Sequence, residues 1–201
     1  MEPTLSQKRL PQEQRRQQII FEAMKIINEE GYPAFTTRRL AKRVGITEPA
    51  LYRHFKGKED ILINVIQELD KIWTETHSEL ERIKDPKKRI CHFISAHFKY
   101  IERNPDILAV LFADEYIRLE NNVQLKVSHM IDKRVEYLNT FLSTLLEGKI
   151  ICGENARALT LIIMGSIRMA ARNWRNKNYS YSLTKYGEDI CCNLVNMLFK
   201  N

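Results

Sequence analysis

Between Thr36 and Lys58 the chain reads TTRRLAKRVGITEPALYRHFKGK. Two short helix-competent runs, Thr37 to Arg43 and Glu48 to Phe55, flank Val44-Gly45-Ile46. Two helices joined by a turn of about three or four residues make the helix-turn-helix unit, whose second helix enters the major groove of DNA. No other stretch narrows the choice of fold as far. Thr36 and Thr47 each stand just before a run, where a hydroxyl can accept an otherwise unpaired backbone N–H. Pro49 is tolerated in a first turn, whose N–H groups lack intrahelical partners, so the Thr47 hydroxyl is directed to the Ala50 amide. Ala41 is small where the two helices must approach, and Gly45 supplies the backbone freedom of the turn. Leu51 and Phe55 lie four apart and point inward. That leaves Glu48, Pro49, Ala50, Tyr52, Arg53 and His54 largely outside.

The charge distribution points the same way. The net charge is +7. Residues 1–58 hold twelve Lys/Arg against six Asp/Glu, whereas residues 59–201 hold twenty against nineteen. The excess therefore sits with the helix-turn-helix, as expected of a nucleic-acid footprint. Tyr52 and His54 can donate hydrogen bonds to phosphate oxygens, which fix register without reading sequence. Lys58 opens the next helix with a charge that opposes the helix dipole, and a phosphate docked there would account for it.

The rest of the chain predicts an all-α fold of about nine helices. Only seven glycines and six prolines interrupt its 201 residues. The expected helices cover 12–30, 37–43, 48–55, 58–83, 87–103, 106–116, 122–147, 155–175 and 183–200. Residues 1–11 are expected as a flexible basic arm, either a tail with no role or one whose Lys8 and Arg9, with Arg15 and Arg16, reach DNA phosphates. Residues 12–57 are expected as the DNA-binding domain and 58–201 as a second helical domain. Helix 4 carries the clearest amphipathic stripe: Leu62, Val65, Ile66, Leu69, Ile72 and Trp73 recur every three or four positions.

Cys91, Cys152, Cys191 and Cys192 form no C-x-x-C pair, and no histidine cluster has zinc-finger spacing. Reduced thiols in apolar surroundings are expected. The first residues lack a secretory pattern, and no apolar run nears the ~20 residues that span a bilayer. A cytoplasmic, nucleoid-associated protein is the expectation. H-E-x-x-H and G-x-S-x-G are absent, and no carboxylate pair suggests catalysis. Cys91 and His92 are neighbours that diverge on a helix and make a poor nucleophile–base pair. Neither an enzymatic activity nor a cofactor or metal is expected.

Thr36-Thr37-Arg38-Arg39-Leu40-Ala41, Gly45-Ile46-Thr47 and Ala50 through Glu59 closely resemble the signature of the tetracycline-repressor (TetR) family, over about residues 14–66. Pro49 stands where many members carry glycine. The resemblance implies phosphate contacts from Thr37, Tyr52, His54 and Lys58, and base-facing positions at Glu48, Pro49 and Ala50. It also implies a base-reading Arg38, consistent with arginine's bidentate fit to guanine. With Thr36, Thr47 and Arg53 these make the expected DNA-binding face. The resemblance further implies a homodimer built on helices 8 and 9, a palindromic operator, and a small-molecule effector that releases a repressor from it. Gly165, Ser166, Ala170 and Ala171 permit close approach of helix 8, and Ile190, Leu194, Met197 and Leu198 stripe helix 9. Trp73, Phe93, His97, Tyr100, Phe112, Tyr116, Met130 and Trp174 are the candidate effector-site residues. Few charges interrupt these faces, which favours an apolar or cationic amphipathic effector. A second reading keeps DNA binding but replaces the ligand with a protein partner. Tyr100 through Pro105 and Ala50 through Phe55 are similar to segments of superfamily members that act in nucleoid occlusion.

Overall fold

The computed structural model describes residues 10–112 and 121–199, and in it every regular element is helical. The helices are α1 (Gln12–Glu30), α2 (Thr37–Val44), α3 (Glu48–Tyr52), α4 (Lys58–Arg82) and α5 (Pro86–Arg103). They continue with α6 (Ile107–Leu111), α7 (Asn121–Glu147), α8 (Ala156–Asn176) and α9 (Leu183–Leu198), and a 3₁₀ turn, Tyr32–Ala34, follows α1. None of the described helices is long and apolar enough to cross a membrane.

Local chemistry sets the boundaries. Gly31, with φ +82°, ends α1 in a conformation that L side chains resist. Asp85 and Pro86 do more than stop α4. The Asp85 carboxylate accepts the Lys88 N–H at 3.0 Å, and proline fills the first helical position of α5, where no N–H is needed. Asn155 and Ser182 cap α8 and α9 in the same way. Glu102, from the end of α5, also accepts the Leu183 and Thr184 N–H groups at 2.9 and 3.1 Å.

Three elements are shorter than the sequence suggests. α3 stops at Tyr52 rather than Phe55, because the Arg53 and His54 N–H groups fold back onto the carbonyls three residues earlier. The Lys56 N–H then leaves the helix for the Asp60 carboxylate at 2.8 Å. α6 is one short turn ending before Phe112, and the expected continuation to Tyr116 lies outside the described residues. α9 ends at Leu198, and Lys200 is likewise outside them.

Two hydrophobic clusters organise the chain. The first joins α1, α2 and α3 through Ile19, Ile26, Phe35, Leu40, Leu51 and Phe55. It takes in the first half of α4, from Ile61 to Leu69, and reaches Ile107 of α6 and Met130 of α7. The second gathers the far half of α4 with α5, α7, α8 and α9, around Trp73, Phe93, Phe98, Leu142 and Trp174. α4 is thus a single rod embedded in both.

The cysteines depart from expectation. Cys91 of α5 and Cys191 of α9 form a disulfide, with Cα atoms 5.6 Å apart. The two residues are 100 positions apart in sequence, so no spacing rule could reveal the pair. What brings them together is a very close approach of α5 to α9 at Gly187, where a Cβ would meet Phe98. Cys152 and Cys192 are free thiols.

Candidate nucleic-acid interface and effector cavity

The helix-turn-helix is built as its residues dictate. The Thr36 hydroxyl accepts the Arg39 N–H at 3.1 Å, and that of Thr47 accepts the Ala50 N–H at 3.3 Å. Gly45 is left-handed (φ +76°), and the Ile46 N–H bonds back to the Ala41 carbonyl at 3.0 Å. Leu40, Ala41, Leu51 and Phe55 are buried beneath the unit. Arg38, Pro49, Tyr52 and Arg53 are exposed, with Tyr52 at 50%. Tyr52 thus stands half in solvent on a five-residue helix.

Intramolecular pairs sort the basic residues into two sets. Arg43 bonds Glu22 and Glu29 and lies 3.4 Å from Glu30, and Arg39 grips Glu30 with two bonds of 2.9 and 2.7 Å. These two arginines tie α2 to α1. Arg16 belongs with them and not with the arm. It donates to the His54 carbonyl and to Asn64 (2.9 Å), and its guanidinium covers the Phe55 ring at 4.2 Å. Arg15 is bonded to Gln18, and Lys8 and Arg9 lie outside the described residues. Both Arg15 and Arg16 are bonded within the chain, and Arg16 buttresses the end of α3.

Within the expected DNA face, Thr37 donates its hydroxyl to the Glu48 carboxylate at 2.6 Å. Glu48 thus bridges α2 and α3 and pairs with Thr37, leaving Arg38 exposed beside it. Lys58 stands with its ammonium 4.0 Å from the centre of the Tyr32 ring, at the first residue of α4. Burial, and then the positive charges of Arg16, Arg15 and Arg53, lower the pKa of His54. The shift disfavours the charged form of the imidazole, whose Nδ1 is buried without a partner among the described residues.

A cavity of about 350 Å³ lies between α4, α5, α6, α7 and α8, directly behind the first cluster. Its size falls within the range of small-molecule sites. Trp73, His97, Tyr100, Phe112 and Met130 line it together. Phe93 and Trp174 do not. Phe93 is buried edge-on against Trp73, and the Trp174 indole N–H is committed to the Tyr181 carbonyl at 2.7 Å. Tyr116 lies outside the described residues.

The sequence reading missed two cations of the described lining, Arg134 and Arg168. Arg134 is 11% exposed and donates to the Met130 and Leu69 carbonyls at 2.6 and 3.3 Å. Asp70 is 3.9 Å away, and the Trp73 ring is 5.3 Å from the guanidinium. Burial lowers the Arg134 pKa, opposed by Asp70 and Tyr100. Burial also raises that of Tyr100, so the phenol stays neutral. The signal was present in the spacing: Met130, Arg134 and Leu138 recur every four residues, placing a charge on an inward face. No carboxylate is among the described lining residues. The expectation of an apolar or cationic amphipathic effector took no account of Arg134 and Arg168, whose charges bear on the cavity together with that of Asp70, 3.9 Å from Arg134.

A basic helix-turn-helix mounted on a helical domain with an internal cavity defines a DNA-binding regulator with a ligand domain. The chain belongs to the tetR family of bacterial regulatory proteins: that family's N-terminal model matches residues 19–65, and a model described as the C-terminal region of YsiA-like proteins matches residues 66–197. Among curated relatives, the fatty acid metabolism regulator of Bacillus subtilis is 24% identical over 175 residues, spanning 86% of this chain and 90% of that protein. The nucleoid occlusion factor SlmA of Vibrio campbellii is 28% identical over 168 residues, spanning 81% and 84%. The transcriptional activator FasR of Mycolicibacterium smegmatis is 28% identical over 110 residues, 54% of this chain and only 50% of that protein. In fold, the chain is similar to the regulator FadR from Bacillus subtilis, crystallised with stearoyl-CoA. The TM-score is 0.74 at 24% identity, over 90% of this chain and 97% of that one.

Proposed function

We propose that the protein is a homodimeric regulator whose hold on a palindromic operator is set by an amphipathic anion in the α4–α8 cavity. The observation that carries this reading is the pairing of a mostly apolar cavity with the buried guanidinium of Arg134. An acyl chain would occupy the apolar wall, and its anionic head would be drawn toward the arginines. A fatty acid regulator among the relatives, and a similar fold crystallised with an acyl-CoA, support the same ligand class. Because Leu69 and Met130 belong to the first cluster and also line the cavity, a ligand there touches the support of the helix-turn-helix.

Dimerisation is supported by α8 and α9. Leu161 and Met197 are each 73% exposed, and Ile162, Met169 and Tyr186 stand out of the same pair of helices. A Cβ at Gly165 would meet nothing within 4 Å, so this face can accept a second backbone. On DNA, Arg38 and the Glu48-Pro49-Ala50 turn take the base-reading role, and Thr37, Tyr52, His54 and Lys58 hold phosphates.

Titration of the operator complex with dodecanoyl-coenzyme A tests the effector. Displacement is expected, with Arg134→Met weakening the response. Binding of the thioester with no change in operator affinity would refute regulation through this cavity. The likeness to SlmA motivates a second reading, in which a protein partner replaces the ligand. A genome-wide binding profile with many dispersed sites would favour it, and one or a few sites the first.

A further inference from the structure

His97, one of the residues that line the cavity, carries an unanswered hydrogen-bond acceptor. Its Nδ1 lies 2.7 Å from the Phe93 carbonyl oxygen. A carbonyl can only accept, so Nδ1 bears the hydrogen and Nε2 is left with a lone pair. Nε2 is buried and has no partner among the described residues. The ring is held in place by Phe93 at 4.6 Å and Trp73 at 6.0 Å, centre to centre. Burial, and then the charge of Arg134, lower the imidazole pKa to about 4, against the opposing Phe93 hydrogen bond. At pH 7 it stays an acceptor. A buried acceptor without a donor is a standing penalty that a suitable ligand removes.

The identity of that ligand group follows from what Nε2 refuses. A carboxylate, a phosphate and a thioester carbonyl bring only lone pairs, and none of them can satisfy it. Those groups suit Arg134 instead. Arg134 and His97 flank the same indole, with the guanidinium 5.3 Å and the imidazole 6.0 Å from Trp73. The donor must therefore lie close to the anionic head and not at the far end of the chain.

We propose that His97 Nε2 accepts a hydrogen bond from a hydroxyl near the head of the effector, making the cavity selective for hydroxyacyl over plain acyl amphiphiles. This deepens the reading of the cavity as an effector site and rests on it. The hydroxyl donates to Nε2, the anionic head pairs with Arg134, and the chain lies along Leu108, Leu111 and Ile131.

The test is isothermal titration of the full chain with dodecanoate and with 2- and 3-hydroxydodecanoate, each as the free acid and as the coenzyme A thioester. One of the hydroxylated ligands is expected to bind roughly ten- to a hundredfold more tightly than its plain counterpart. In His97→Leu the preference should vanish, the hydroxylated ligand losing its ten- to a hundredfold advantage over its plain counterpart. His97→Gln, which places an amide oxygen near the former Nε2, should restore part of it. Equal binding of plain and hydroxylated ligands by the wild type would overturn the proposal while leaving the effector cavity in place. Binding of none of them would remove the cavity reading and the proposal together. The wild-type comparison decides even if the variants fail to fold.

Discussion

Replacing Gly187 with alanine should destabilise the protein, although alanine is the better helix former. Gly187 lies inside α9, and a Cβ there would stand 2.1 Å from Cδ2 of Phe98, 2.7 Å from its Cγ and 2.8 Å from its Cε2. Contacts below 3.0 Å require something to move. The ring belongs to a fully buried phenylalanine of α5, so it has no free space to swing into. Glycine to alanine in a helix interior gains up to ~1 kcal/mol. Overpacking a closed core loses about 1–3 kcal/mol. Three overlapping ring atoms place this site toward the upper end, for a net loss of about 2 kcal/mol. For a chain of this size, that corresponds to a fall in melting temperature of roughly 4–8 °C. Guanidinium unfolding followed by circular dichroism reads the first number and calorimetry the second. Unchanged or increased stability of Gly187→Ala would refute the close approach of α5 and α9. Gly165→Ala is the companion. In an isolated chain it should gain ~0.4–1 kcal/mol, since nothing lies near its Cβ. If the face closes a dimer, it should instead weaken association, read by sedimentation equilibrium.

Glu102 makes stability depend on pH. Burial alone would raise its pKa, but hydrogen bonds from Thr184, Ser182 and the Leu183 and Thr184 N–H groups bring it below the ordinary carboxylate value. The stabilisation is therefore complete above the unfolded pKa of about 4.3 and is lost as pH falls through the folded value. Glu102→Gln should be less stable by about 1–2 kcal/mol at pH 7 and should lose less than wild type on acidification below pH ~4. Equal acid profiles would count against the cap. Glu48→Ala removes a negative charge from the proposed DNA face and frees the Thr37 hydroxyl. It should tighten binding to random DNA and narrow the gap between operator and random sequence in fluorescence anisotropy at fixed salt. Cys91→Ser, or added dithiol, should lower unfolding stability by about 2–4 kcal/mol, because the bridge closes a 100-residue loop of the unfolded chain. No effect of dithiol on wild-type unfolding would argue that the bond is not formed.

Local chemistry explains which features could be read in advance. Thr36, Gly45, Thr47 and Pro49 act within three or four residues of themselves, so the caps and turn of the helix-turn-helix were legible, though α3 ends at Tyr52 and not at Phe55. Helix ends marked by Gly31, Asp85-Pro86 and Asn104-Pro105 were legible for the same reason. What escaped depends on partners far along the chain. The Arg16 contact to the His54 carbonyl spans 38 residues, and the Cys91–Cys191 bond spans 100. A stripe of apolar spacing also cannot say whether a side chain faces a neighbour or an empty space. Phe93 and His97 are one turn apart, yet the first fills the core and the second lines the cavity. Arg134 was overlooked because a pattern search for apolar residues passes over a cation, even at an inward position.

The sharing of α4 between two cores has a mechanical meaning. From Trp73, at the cavity, back to Lys58, beside the helix-turn-helix, is fifteen residues of unbroken helix, a lever of about 22 Å. Turning that arm by ~10° about its cavity end would carry Lys58 through about 4 Å, a large fraction of the 5.4 Å pitch of one helical turn. In a two-fold dimer the opposite arm moves by symmetry, so the displacement is doubled in the distance between the two recognition helices. Half-sites one turn of DNA apart tolerate little such error, because the major groove fixes both angle and spacing. The ligand therefore need not reach the DNA-binding surface or unfold any part of it. It has only to prefer one inclination of a single rigid helix.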